Sequence, residues 1–214
     1  MRNRFDEQLR ELNCQLIEMG AICEEVIAMA AKALIENDLQ LAEKVPVTGA
    51  EIDRLEREIE TRCIKLLLHQ QPVAKDLRQI SAALKMITDM ERIGDQAEDI
   101  AEIVKCLNHP YRRGTAHISE MAQATIKMVT DSIDAYVKRD LELAKSVLEY
   151  DDVVDEYFIQ MKEDVIGLIK KNGSDGEFAL DLLMISKYFE RIGDHATNIA
   201  EWVIYSVTGI HKEA

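Results

Sequence analysis

Residues 91–104, ERIGDQAEDIAEIV, recur as ERIGDHATNIAEWV at 190–203, an offset of 190 − 91 = 99. One segment repeated at such a spacing makes this 214-residue chain two copies of one supersecondary unit. The repeat reaches further. ALIENDLQLA at 33–42 matches AYVKRDLELA at 135–144, an offset of 135 − 33 = 102. Glu18-Met19 against Glu120-Met121 and Ile52-Asp53 against Val154-Asp155 keep that offset. The change from 102 to 99 places a three-residue shortening in the turn before the last helix, where connections tolerate it.

Only three prolines and nine glycines interrupt long runs of Ala, Leu, Ile, Met, Glu and Lys, so the chain reads as all-α. Pro46, Pro72 and Pro110 are read as breaks, because proline lacks a backbone donor and clashes inside a helix. The expected helices cover 4–36, 38–45, 48–70 and 73–107, then 117–138, 140–148, 150–171 and 177–208. Each half is thus an antiparallel three-helix bundle with a short connecting helix. The loop at 108–115, NHPYRRGT, separates an N-terminal bundle, residues 1–109, from a C-terminal bundle, residues 116–214.

Lys and Arg total 26 against 40 Asp and Glu, a net charge of −14 that repels nucleic-acid phosphates and anionic lipid head groups. No nucleic-acid partner is expected. With no signal-peptide pattern and no run of apolar residues long enough to span a membrane, a cytoplasmic protein without direct membrane insertion is expected, recruited to a membrane only through partners. Cys14, Cys23, Cys63 and Cys106 form no CxxC pair and read as buried, reduced thiols.

At about 100° per residue, Glu91, Asp95, Glu98, Asp99 and Glu102 share one face of their helix, while Ile93, Ala97, Ile100 and Val104 take the opposite one. The second copy places Glu190, Asp194, Asn198 and Glu201 against Ile192, Ala196, Ile199 and Val203. Stacked like charges cost a few tenths of a kcal/mol per pair, which a hard cation such as Mg²⁺, Ca²⁺, Mn²⁺ or iron would offset. Arg92 and Arg191 offer the competing explanation, a solvated face partly neutralised by flanking guanidinium groups. Gly94 and Gly193 sit between the acids of each ExxxD unit, where they serve either the close approach of another helix or a ligand-related role. Asp53 and Asp155 either add ligands or lie on a wet face.

Other residues have plainer readings. Asp38 and Asp140 are expected as helix N-caps, and His195 as a partly exposed histidine. No histidine follows a glutamate by three residues, which removes the ExxH unit of di-iron bundles. No phosphate loop, GxSxG or HExxH pattern occurs, and no catalytic residues are assigned.

The paired E-R-I-G-D segments, each late in a helical half and followed by Ile-Ala-Glu, resemble the PhoU family of phosphate-uptake regulators over nearly the whole chain. The resemblance implies two spectrin-like three-helix bundles related by pseudo-two-fold symmetry, and metal ions, iron or Mg, Mn, Zn or Ca, on the carboxylate face. Carried over, Glu91 and Asp95 match the first motif, extended by Asp99, and Glu190 and Asp194 match the second; Glu102, Asn198 and Glu201 complete the two rows. Asn198 and Thr197 replace Asp99 and Glu98, so the first row reads as the fuller site. The family also implies a non-enzymatic negative regulator of the phosphate-starvation response. Its partners would be the ATPase subunit of a phosphate-specific ABC transporter and a sensor histidine kinase, with a homodimer expected. The alternative is a carboxylate-rich metalloprotein with a storage or redox role.

Overall fold

The computed structural model describes residues 2–69, 73–107, 117–171 and 176–210. The described residues form six α-helices: α1 (Arg2–Glu36), α2 (Leu39–His69), α3 (Ala74–Cys106), α4 (Ile118–Lys138), α5 (Leu141–Lys171) and α6 (Gly176–Thr208). Helices α1, α2 and α3 pack on one another, as do α4, α5 and α6, so each repeat is a three-helix bundle. The halves join through α3 on α6 and α1 on α4. One continuous apolar core runs through both. Outer helices α2 and α5 contact only their own bundle among the described residues.

The turns between the first two helices of each half use the same local chemistry. Asn37 and Arg139 both adopt φ of 56°, the left-handed conformation that ends a helix. The following N–H groups reach back, Asp38 to the Ala33 carbonyl and Asp140 to the Ala135 carbonyl, each at 2.9 Å. Those aspartates then cap the next helix, Asp38 Oδ1 accepting from Leu41 N–H and Asp140 Oδ1 from Leu143 N–H, both at 3.0 Å. The capping role read from the sequence holds in both halves.

The short connecting helices do not exist as separate elements. Residues 39–69 form one helix straight through Pro46, and 141–171 form another. Proline removes one backbone donor, but Ala42 and Val45 before it and Ile52 after it are wholly buried and hold the rod to the core on both sides. Leu148 occupies the matching place in the second repeat, so nothing there could break the helix. The breaks expected at Pro72 and over 108–115 lie outside the described residues.

Two further readings are corrected. Cys23 and Cys63 are buried, with burial pushing the Cys63 thiol up to about 12, but Cys14 and Cys106 are exposed. Cys14 lies among Arg10, Glu11 and Gln15 on the polar side of α1, and Cys106 ends α3. His195 is buried rather than partly exposed, at 8 % accessibility, because α3 covers it.

Candidate functional site

Ile93, Ala97, Ile100 and Val104 of α3, and Ile192, Ala196, Ile199 and Val203 of α6, are all buried, so the opposite side of each helix meets solvent as the periodicity requires. What the helical wheel cannot supply is the second wall. In the first repeat α2 lies across α3 so closely that a Cβ on Gly94 would come 2.9 Å from Ile52 Cδ1. In the second, α5 crosses α6 at Gly193, where a Cβ would meet Asp151 Oδ1 and Val154 Cγ1, each at 3.4 Å. The mid-helix glycines therefore serve the close approach of a neighbouring helix. Ile52 and Val154 are the residues they admit, and the adjoining Asp53 and Asp155 are carried to the cleft rim.

Each cleft is consequently a place where carboxylates from two helices gather. In the first, burial followed by the charge of Asp95, Glu56 and Asp53 raises the Glu91 carboxyl above its ordinary value. Burial, Asp53 and Asp99 raise Asp95, with Arg92 partly opposing. Glu98 is raised furthest, to about 7, by burial and by Asp95, Asp53, Asp99 and Glu102. In the second cleft Asp151 is raised to about 6 by burial and by Asp155, Asp194 and Glu190. Asp194 rises through burial and Glu190, opposed by Lys187. Mutual repulsion of this kind is the electrostatic signature of an anionic pocket.

The predicted site residues separate into two groups. Glu91 and Asp95 face Asp53 and Glu56 of α2, and Glu190 and Asp194 face Asp151 and Asp155 of α5. Asp99 turns instead toward α6, where Tyr188 donates a hydrogen bond to it and Arg191 partly offsets its charge. Asn198 turns toward α3, its Nδ2 donating to Asp89 Oδ1 at 3.2 Å. Glu102 is exposed and 3.7 Å from Lys105, and Glu201 is half-buried. Asp99 and Asn198 thus belong to the seam between the bundles.

Glu98 shared the acidic face in the sequence, but Asp151 was not singled out there. The signal lay in comparing repeats on α2 and α5, where Gly49 stands opposite Asp151 at the offset of 151 − 49 = 102. The clefts differ at their next neighbours too. Glu56 and Glu60 continue the first, whereas Phe158 and Lys162 occupy the matching places in the second. Lys162 Nζ lies 4.3 Å from the Phe158 ring centre, and Lys187 pairs with Glu190. The first cleft is the more acidic, through residues other than Asp99.

An all-oxygen donor set, drawn together against its own repulsion, has the chemistry of a hard-cation site. Gly49 adds a steric fit: a Cβ there would fall well inside contact distance of Glu98 Oε1 and 3.1 Å from its Cδ, so α2 leaves room for that carboxylate. As posed, no three Asp, Glu, His or Cys groups converge on one point among the described residues. Holding an ion would require the carboxylates to swing inward from the two walls.

Fold and clefts together define a class: internally duplicated all-α proteins in which two three-helix bundles share a core and each carries an interhelical carboxylate cleft. The PhoU domain model matches residues 16–104 and again 118–203, and the chain belongs to the PhoU family. It is 37% identical to the phosphate-specific transport system accessory protein PhoU homolog of Clostridium acetobutylicum, over 97% of this chain and 96% of that one. The crystal structure of PhoU from Pseudomonas aeruginosa superposes with a TM-score of 0.89 at 33% identity, covering 96% of this chain and all of that one. The phosphate transport system regulatory protein PhoU from Streptococcus pneumoniae gives 0.89 at 28% identity. No described helix is long and apolar enough to cross a membrane.

Proposed function

We propose that this chain is a non-enzymatic negative regulator of phosphate uptake and phosphate-starvation signalling. It would link the ATPase subunit of a phosphate-specific ABC transporter to a sensor histidine kinase. The observation that carries this reading is the PhoU domain matched in both halves of the chain, in company with full-length relatives named as accessory proteins of phosphate-specific transport. A bundle of long helices with polar outer faces suits docking to other proteins better than it suits a reaction. The same reading places the protein in the cytoplasm, as a homodimer, brought to the membrane by its partners.

The two clefts hold metal ions in this reading, iron or another oxygen-seeking cation such as Mg²⁺, Mn²⁺ or Ca²⁺. Bound cations would remove the repulsion among Asp53, Glu91, Asp95 and Glu98, and among Asp151, Asp155, Glu190 and Asp194, stiffening the surface that α2 and α5 present.

The regulatory reading is tested by deleting the gene and following a phosphate-repressed reporter, with affinity purification of the chain from membranes at high and low phosphate. Constitutive expression and co-purifying transporter or kinase subunits are expected. An unchanged reporter and an empty pull-down would sink it. Elemental analysis of protein purified without added metal, beside Glu91→Ala/Asp95→Ala, tests the metal reading separately.

A further inference from the structure

Four glycines inside the helices, Gly20, Gly49, Gly94 and Gly193, each have a side chain of another helix at or within contact distance of the missing Cβ. Gly167, inside α5, differs: nothing stands within 4 Å of its Cβ position. Glycine within a helix costs about 0.5–1 kcal/mol relative to alanine, and within one copy of the chain no close approach requires it here.

The stripe of α5 beside Gly167 is apolar and uncovered. Ile159 and Ile166, seven residues apart and so one above the other, are 49 % and 50 % exposed, while Val154, Met161 and Val165 bury the opposite side. Among the described residues α5 packs only on α4 and α6. Charge along the stripe is polarised. Glu149, Asp152 and Glu156 precede the isoleucines and Lys170 follows them, all on the same face at about 100° per residue. The matching stripe of α2 lacks this pattern: Arg54 already pairs with Glu51 and Glu58, and Arg57 stands where α5 has Ile159.

A second copy of α5 laid antiparallel meets these features together. Ile159 and Ile166 are equidistant from the midpoint between Lys162 and Glu163, so a two-fold axis there sets Ile159 against Ile166 of the second copy, and does so twice. The same axis brings Glu156 beside Lys170 of the second copy on one flank of the contact, again twice, with the acidic start of each helix over the basic end of the other. Gly167 leaves room for the two helices to close. Glu163 alone meets its own copy, which opposes the contact and keeps it weak.

We propose that the outer stripe of α5 is the surface through which two copies of this chain associate, antiparallel about an axis near residues 162 and 163. The proposal rests on the homodimer in the reading above, to which it gives a face.

Sedimentation velocity of the full-length protein from about 1 to about 200 µM reads the association, which for a single helix pair is of modest affinity. Wild type should pass from monomer to dimer as concentration rises. Ile159→Ser/Ile166→Ser should weaken the dimer about tenfold or more. Gly167→Leu should weaken it about as much by filling the close approach, while Tm at low concentration stays at or above that of wild type, since nothing within one copy meets the new side chain. Glu156→Lys and Lys170→Glu should each cost about threefold in affinity, and the two together should restore it to within about twofold. Glu163→Gln should tighten the dimer about twofold. Ile64→Ser/Leu68→Ser, at exposed positions of α2, should leave it unchanged. A dimer indifferent to the α5 variants, or broken by the α2 pair, would overturn the α5 surface while leaving the homodimer reading standing. A charge swap that fails to restore affinity would overturn the antiparallel axis. A monomer at every concentration would overturn both readings and leave the stripe to a different protein.

Discussion

Asp89 and His195 join the two bundles at the middle of the molecule, with Asp89 Oδ1 2.9 Å from His195 Nδ1 and both residues buried. The same oxygen accepts from Asn198 Nδ2. At the offset of 99 their counterparts are Tyr188, Gln96 and Asp99, and Tyr188 donates to Asp99 in turn. The seam is therefore a pseudo-symmetric pair of donor–acceptor contacts between antiparallel helices, with Lys85 over Trp202 further along it. Asymmetry in sequence keeps two carboxylates from facing each other at either contact. Where tyrosine faces Asp99, a carboxylate is tolerated; where Asp89 stands, its neighbour has to be an amide.

Asn198→Asp should therefore destabilise the protein by about 1–2 kcal/mol at neutral pH, since it sets a second carboxylate against a buried one. The paired change Asp89→Asn/Asn198→Asp should recover most of that loss. Urea denaturation of the four proteins measures the coupling. Equal, additive losses would show that the two residues do not interact.

The raised carboxyls of the clefts give a pH dependence of definite sign. A carboxyl whose folded value lies above its unfolded one binds protons more readily in the native state, so its contribution is fully present below the unfolded value, 4.5 for Glu98 and 3.8 for Asp151, and is lost as pH rises through the folded value. For Glu98 that loss is complete above about 7, and for Asp151 above about 6. In chelator, Glu98→Gln should raise Tm over wild type at pH 8, with the advantage shrinking toward pH 4. Parallel Tm curves across that range would count against the raised Glu98 carboxyl.

The two mid-motif glycines should respond differently to alanine. At Gly193 the nearest atoms stand at ordinary contact distance, so Gly193→Ala should gain the helix-propensity difference, about 0.5–1 kcal/mol. At Gly94 the added methyl meets Ile52 Cδ1 at 2.9 Å within a closed core, so Gly94→Ala should yield no net gain. Ile52→Val, which removes that atom, should make Gly94→Ala favourable. Thermal melts of the four variants decide it; a gain at Gly94 equal to that at Gly193 would mean α2 is free to lift.

Much of this architecture was legible in the chain. The duplication, the all-helical class, the buried faces of α3 and α6 and the caps Asp38 and Asp140 follow from periodicity and local hydrogen bonding, which act within one helix or one turn. Pro46 misled because the break it favours locally is overruled by Ala42, Val45 and Ile52, which the tertiary core holds in line. His195 and Asn198 were misplaced for a related reason: a wheel drawn on α6 shows which residues share a face, not that Asp89 waits opposite. Gly49, Glu98 and Asp151 could be seen as differences between repeats, yet their meaning depends on α2 crossing α3.

The αL turn of the second repeat offers a last, purely local prediction. Arg139 holds φ of 56° where its counterpart Asn37 does so with a residue suited to that region. A long side chain in this conformation costs about 1 kcal/mol relative to glycine, with asparagine between them. Arg139 recovers part of this through Nη1 to Gln79 Oε1, but at 3.3 Å that bond is a weak one. Arg139→Gly and Arg139→Asn should therefore stabilise the protein by about 0.5 kcal/mol, while Asn37→Arg in the first repeat should destabilise it by a similar amount. Chemical denaturation at fixed pH reads all three. A loss on Arg139→Gly would mean that the contact to Gln79, which ties the end of α4 to α3 beside the Tyr136 hydroxyl's bond to the Gln79 carbonyl, outweighs the backbone strain.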